Sequence, residues 1–294
     1  MKILICGSDG FVGSNLFLKL NGHEVITLDY LNSIEPVNIK PNNIFMNFDL
    51  STGIPLIEGS IDLIIHLATI NQNVMAENPM LFPINIMATQ NILELARTSG
   101  AKLIYSSSCS VYGEGNNIVE DHPLYPKSLY ALGKVFEEKL IQFYNNRWGV
   151  EATILRFSNC YGDTTTIGNK VYPGKKDVLR IFMEKALSSQ PLPLIKGMGR
   201  DYTYIDDVVE AILSVMHLND FHIFNVGTGV ETLTDELPAL IANALKIPII
   251  TKITPPRDID NITHRSLSVD KISPYWKPKV GLKEGLEKYV KKLG

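Results

Sequence analysis

The first twenty residues, MKILICGSDGFVGSNLFLKL, constrain the fold more than any other stretch. Residues 2–6 are a short run of strand length. Its apolar part is continuous rather than alternating, as in parallel strands buried on both faces. Gly7, Gly10 and Gly13 follow with G-x-x-G-x-x-G spacing, and Phe11 and Val12 open a helical pattern over 11–20. Glycine permits a tight turn and a close backbone approach, and the N-terminus of the next helix attracts a pyrophosphate. A glycine triplet is a weak signal alone. Placed one strand into the chain and at the mouth of a helix, it reads as a dinucleotide-binding turn. Gly7, Gly10, Phe11, Val12 and Gly13 are therefore expected at a cofactor.

The same alternation continues. Strands are expected at 24–28, 43–47, 62–67, 102–106 and 151–155, and helices at 84–98 and 129–147, with an irregular connection at 32–41. Alternating strands and helices predict an α/β fold, a Rossmann-type doubly wound parallel sheet. Past residue 157 the pattern loosens. A loop is expected around 164–174, helices at 177–188, 206–217 and 232–244, a strand at 221–226, and a short helix in the closing GLKEGLEKYVKK. The expected division is a nucleotide-binding core over 1–156, to which about 201–228 returns, and a smaller, discontinuous C-terminal substrate-binding lobe over 157–294. The cleft between them is the expected ligand site.

Bulk properties exclude several classes. The chain has 294 residues, 45% hydrophobic, with a net charge of −3, so there is no basic stripe for nucleic acid. The apolar runs fall short of the ~20 residues of a membrane span, and the N-terminus is a strand rather than a signal peptide. Cys6, Cys109 and Cys160 are too few and scattered for a disulfide framework or a zinc site, so no metal is expected and a reducing cytoplasm is the natural setting.

Asp29 ends the second strand in VITLDYLN, 22 residues after Gly7. An acidic residue there binds the adenosine-ribose hydroxyls and repels a 2′-phosphate, which favours NAD over NADP. The alternative is a loop aspartate capping a turn. Asp49 and Leu50, after the third strand, can present a carboxylate near the adenine. In SLYALGK, Tyr130 and Lys134 lie four residues apart, on one helix face. On these two alone, a half-buried tyrosine beside a solvated lysine is the plain reading.

Eight segments in order change that reading. GSDGFVG, HLAT at 66–69, YSSSCSVYG at 105–113, YALGK at 130–134, LRFSNCYG at 155–162, RDYTYIDD at 200–207, FNVGTG at 224–229 and GLKEGL near the end together resemble the extended short-chain dehydrogenase/reductase family, in its nucleotide-sugar epimerase/dehydratase branch. The resemblance covers nearly the whole chain. It implies a Rossmann domain that binds NAD and a small lobe that holds a nucleotide sugar. It implies that Tyr130 is the acid/base and that Lys134 binds the nicotinamide ribose. A lysine ammonium nearby would favour a phenolate whose ordinary pKa is about 10.

Ser108 matches the family's catalytic serine or threonine and meets the substrate oxygen. Ser106 and Ser107 are expected only to satisfy backbone groups at the strand end. Tyr112 and His66 read as packing, and Cys109 as a small packed residue. The resemblance places Leu67, Ala68, Thr69, Asn32 and Asn85 at the cofactor. It places Asn159, Arg200 and Arg257 at the sugar nucleotide, the two arginines clamping its diphosphate. Arg200 could instead pair with Asp201, and Arg257 lacks the usual following Gly-Asp. Two long helices of the core imply a homodimer through a four-helix bundle.

Dehydratases and decarboxylases of this family carry carboxylates just after the catalytic serine or threonine. Here Cys109 and Ser110 stand there, and neither is a competent acid or base near neutrality. The simplest remaining reaction is 4-epimerisation of an NDP-hexose through a keto-sugar, with NAD regenerated. The alternatives are a 4-keto-reductase, a dehydratase, a pyranose/furanose mutase, or a non-catalytic NAD-binding scaffold. The sequence names neither the base nor the sugar.

Overall fold

The structure is a computed structural model that describes residues 1–30, 44–162, 165–167, 170–172, 177–256 and 262–293. Its first half runs β1 (Lys2–Cys6), α1 (Phe11–Lys19), β2 (Glu24–Asp29), β3 (Ile44–Asn47), β4 (Leu63–His66), α2 (Gln72–Glu77), α3 (Phe82–Ser99), β5 (Lys102–Ser108), β6 (Gly115–Ile118), α4 (Leu129–Trp148) and β7 (Ala152–Phe157). The second half runs β8 (Asn159–Tyr161), β9 (Thr165–Ile167), β10 (Lys170–Tyr172), α5 (Val178–Leu187), β11 (Leu192–Leu194), β12 (Gly199–Tyr204), α6 (Ile205–Val215), β13 (Phe221–Val226), β14 (Glu231–Leu233), α7 (Leu237–Leu245), β15 (Thr251–Ile253), β16 (His264–Leu267) and α8 (Leu282–Leu293).

Seven parallel strands form the central sheet in the order β13-β7-β5-β4-β1-β2-β3. The direction of winding reverses between β1 and β4, which is where α/β sheets open a ligand crevice. Both faces of the sheet are covered, and β1 shows how. Ile3 and Ile5 enter one core with Leu16 and Phe17 of α1 and Val208 and Ile212 of α6. Leu4 and Cys6 enter the other with Ile92 of α3 and Ile141 of α4. A strand points successive side chains to opposite faces, so an unbroken apolar run serves two cores at once.

A second sheet runs β14-β12-β16-β6, with β8 beside β12. Strand β6 comes from the first half of the chain, while β13 lies on the edge of the central sheet beside β7. Two local expectations fail. The stretch expected as loop contains β9 and β10, an antiparallel pair in which Ile167 sits opposite Lys170. The helix expected from residue 232 begins at Leu237, because Thr232 and Leu233 pair with β12 and Pro238 fits only the helix's first turn. Asn32 and Arg257 lie outside the described residues.

Candidate active site

A cleft of about 460 Å³ opens at the sheet edge where the winding reverses. Its lining includes Gly7, Gly10, Asp29, Asp49, Leu50, Leu67, Ala68, Thr69 and Asn85, all expected at a cofactor. Two glycines shape the entrance. Gly7 has φ +83°, and a Cβ there would lie 2.5 Å from the Ala68 backbone nitrogen. A Cβ on Gly13 would lie 2.1 Å from the Gly7 carbonyl oxygen. The turn can therefore press against the end of β4 and the start of α1 only with glycine at both positions. Gly10 is the N-cap of α1 and offers no side-chain cap, so the first-turn N–H groups have no side chain over them from the cap.

The Asp29 carboxylate accepts hydrogen bonds from the backbone N–H of Asp9 and of Tyr30, each 2.8 Å long. Asp29 braces the glycine turn and also lines the cleft. Asn85 is nearly spent on structure. Its Oδ1 accepts from the Ile70 N–H at 2.7 Å, and its Nδ2 donates to Thr69 Oγ1 and the Ile70 carbonyl. It fixes the 69–70 wall of the cleft. The dimensions, the glycine cradle and the carboxylate at the end of β2 fit an NAD molecule.

Helix α4 carries the catalytic candidates. Ser128 caps it by accepting from the Ala131 N–H at 3.1 Å, which sets where the helix starts. Tyr130 and Lys134 then share a face, with Lys134 Nζ 5.8 Å from the centre of the Tyr130 ring. Ser108, at the end of β5, accepts from the Ser110 N–H and caps the short turn Cys109–Tyr112. Burial pushes the Tyr130 phenol up, while hydrogen bonding to Ser108 and the charge of Arg265 pull it the other way.

Lys134 is not the solvated lysine of the plain reading. It is 1% exposed and donates to Tyr105 Oη and the Ser106 carbonyl, both at 2.9 Å. Its Nζ also lies 3.3 Å from Glu137 Oε2. Burial pulls Lys134 down to about 7, against the opposing charge of Glu138. Burial and the charge of Glu138 push the Glu137 carboxyl up to about 8. Behind this pair, Arg156 grips Glu138 with two bonds of 2.9 and 2.6 Å, and also donates to Tyr112 Oη. Ser107 corrects its expectation. Its hydroxyl donates to Glu138 rather than to a backbone group, because a buried carboxylate holds acceptors that water cannot reach. Ser106 does bond a backbone carbonyl, that of His66. Tyr112, His66 and Cys109 are buried, as packing residues are.

On the lobe side, Asn159 sits on β8 opposite Tyr202 of β12. Arg200, on β12, donates to the carbonyls of Gly199, Ile262 and Thr263. Asp201 turns the other way and accepts from the Thr228 N–H, the Thr228 hydroxyl and the Gly229 N–H, so it does not pair with Arg200. Tyr105, Glu137 and Arg265 complete the neighbourhood and were missed from sequence. Glu137 had a signal, since it stands one turn after Lys134. Arg265 had none: a charged residue in a four-residue strand reads as exposed.

Comparison with known proteins gives a consistent result. The model of the NAD dependent epimerase/dehydratase family matches residues 3–227. A putative UDP-glucose 4-epimerase of Methanocaldococcus jannaschii is 35% identical, over 98% of this chain and 97% of its own length. The crystal structure of a Thermotoga maritima UDP-glucose 4-epimerase with UDP-glucose superposes with a TM-score of 0.87 at 28% identity, over 100% of this chain and 98% of that one. The Thermus thermophilus UDP-glucose 4-epimerase in complex with NAD gives 0.85 at 29%, over 99% and 98%.

Proposed function

The chain belongs to the NAD-dependent epimerase/dehydratase family, and from that premise we propose that it is an NAD-dependent nucleotide-sugar 4-epimerase. The observation that carries this reading is Ser108 at the end of β5 and Tyr130 with Lys134 on one face of α4, beside a turn, Cys109–Tyr112, without a carboxylate. NAD supplies reversible hydride acceptance when bound. Gly7, Gly10 and Gly13 with the first turn of α1 hold its diphosphate, with Phe11 and Val12 alongside. Asp29 takes the adenosine ribose, Asp49 and Leu50 flank the adenine, and Leu67, Ala68 and Thr69 form the facing wall.

Tyr130 takes the proton of the sugar C4 hydroxyl and later returns it, with Ser108 bonded to the same oxygen. Lys134 orients the nicotinamide ribose and leaves its charge close to the phenol. Asn159 and Arg200 receive the sugar nucleotide's diphosphate. The turn after Ser108 offers no acid for loss of water, so the keto-sugar is reduced again from its other face.

Two further features belong to this reading. Leu129, Phe136 and Phe143, seven residues apart on one face of α4, are exposed, as are Met80 and Met87 beside and on the adjoining α3. Such a stripe suits a homodimer closed by a four-helix bundle. Three buried cysteines outside any disulfide and the absence, among the described residues, of a helix able to cross a membrane suit the cytoplasm.

The test is incubation with a panel of NDP-sugars and catalytic NAD. The expected result is interconversion of two sugars of equal mass. A product lighter by one water, or stoichiometric consumption of reduced cofactor, overturns the reading.

A further inference from the structure

Among the described residues, Arg265 is a cationic side chain of this neighbourhood that the scheme above does not use and no carboxylate pairs with. It sits on β16, beside Arg200 of β12 and Gly115 of β6. The residue is 9% exposed. Its Nε donor has no hydrogen-bond partner among the described residues. Its hydrogen bond is a long one, 3.5 Å from Nη1 to the Gly113 carbonyl. A guanidinium carries five donors and a fixed charge, and burying it unpaired is costly. Arg156, the other buried guanidinium nearby, is paired with Glu138. A fold that compensates one buried guanidinium and leaves another open has kept a place for an anion.

The position of that place narrows the anion. Gly113 closes the short turn that Ser108 begins, and the Arg265 charge is felt by the Tyr130 phenol. Arg265 therefore faces the end of the site where the reacting sugar hydroxyl sits. On a hexopyranose, C4 adjoins C5 and so lies next to the C6 substituent. The diphosphate, on C1, is across the ring. We propose that Arg265 receives the C6 carboxylate of a nucleotide hexuronic acid, so that the preferred sugar is an acidic one. The inference rests on the epimerase reading for the placement of C4 at Tyr130. A planar fork matches a carboxylate with two parallel bonds, which a neutral CH2OH cannot supply. A site built for that pair discriminates against the neutral sugar because the cation is then left buried and unpaired.

The experiment uses the full chain with NAD and compares UDP-glucuronate with UDP-glucose as substrates. Wild-type kcat/KM should favour the uronate by at least about tenfold, and Arg265→Gln should cost the uronate at least about tenfold more than it costs the neutral sugar, which loses only what the missing charge beside Tyr130 removes from both. Arg265→Lys should restore part of the loss, because it returns the charge without the fork. Equal losses on both sugars would mean that Arg265 serves the diphosphate, and a wild-type preference for UDP-glucose would also overturn the proposal. If the variant fails to fold, as read by sedimentation, titration calorimetry of the two nucleotide sugars on the wild-type protein decides the matter: tighter uronate binding supports the subsite, equal binding overturns it. The epimerase reading fails separately. A uronate product lighter by carbon dioxide would keep the carboxylate subsite and remove the epimerase assignment.

Discussion

The cofactor cleft and the sugar side of the site are built in opposite ways. The cleft is shaped chiefly by backbone. Its lining comes from the ends of β1, β2, β3 and β4, the loops that follow them and the start of α3, and its shape depends on glycines that keep atoms out. The proposed sugar side is made of side chains. Ser108, Tyr130, Asn159, Arg200 and Arg265 come from five elements spread along the chain, over a layer of buried charge formed by Lys134, Glu137, Glu138 and Arg156. The difference teaches where specificity resides. A turn that admits a pyrophosphate is fixed by local sterics and tolerates few residues. A sugar pocket is fixed by which buried charges are compensated, and one substitution can change it without disturbing the fold.

That contrast can be broken at either end. The largest effect is expected on the chemical side: Tyr130→Phe should lower kcat by about 10³-fold, the range of a lost general acid/base. Its NAD affinity, read by fluorescence titration, should move little. A variant that loses both together would show that the two regions are one unit. Next comes Gly13→Ala, which places a methyl group 2.1 Å from the Gly7 carbonyl. NAD affinity should fall by about a hundredfold, since the turn must shift to admit the methyl. An unchanged affinity would mean that the turn is softer than its packing implies.

A smaller effect is expected at Asp29. Wild type should bind NAD at least about tenfold more tightly than NADP, and Asp29→Ala should narrow the gap by removing charge repulsion, at some cost to the turn it braces. Equal affinities in the wild type would contradict the assignment. The smallest effect concerns Glu137. Its folded-state pKa, near 8, lies above its ordinary 4.5, so between those values the native state binds a proton that the unfolded chain has released. Its contribution to stability is therefore present at low pH and lost as pH rises through that window. Lys134, pulled down to about 7, stays charged in both states over the lower part of the window. From pH 5 to 7, Glu137→Gln should lose less stability than wild type, a gain of a few degrees in relative Tm by calorimetry. Parallel Tm curves would show that this carboxyl titrates normally.

The same contrast explains what could be read from the sequence. The central sheet was legible because unbroken apolar runs and a glycine turn act locally. β1 was anticipated to the residue, and β2, β5 and β7 to within a few positions. The shared helix face of Tyr130 and Lys134 was legible from their spacing, while Ser108 stood out only through the family resemblance. Their surroundings were not, because Ser107 meets Glu138 across 31 residues and Arg265 meets Gly113 across 152. The lobe strands hid for a related reason. β6 reads GNNI and β16 reads HRSL, and neither has the apolar alternation that marks a strand by itself. The antiparallel pair β9–β10 did carry a signal in the sequence Gly-Asn at 168–169, a dipeptide common between paired strands, outweighed by the surrounding Pro and Gly. The late start of α7 followed from Pro238, which was visible, and from the pairing of Thr232 with Arg200, which was not.

The central claim is that hydrogen leaves C4 of the sugar and returns to the same carbon from the other face. Conversion of a nucleotide sugar carrying deuterium at C4, in ordinary water with catalytic NAD, tests this most directly. The account predicts a C4-inverted product that keeps its deuterium and equals the substrate in mass. A product in which solvent hydrogen has replaced the deuterium at C4 would contradict it.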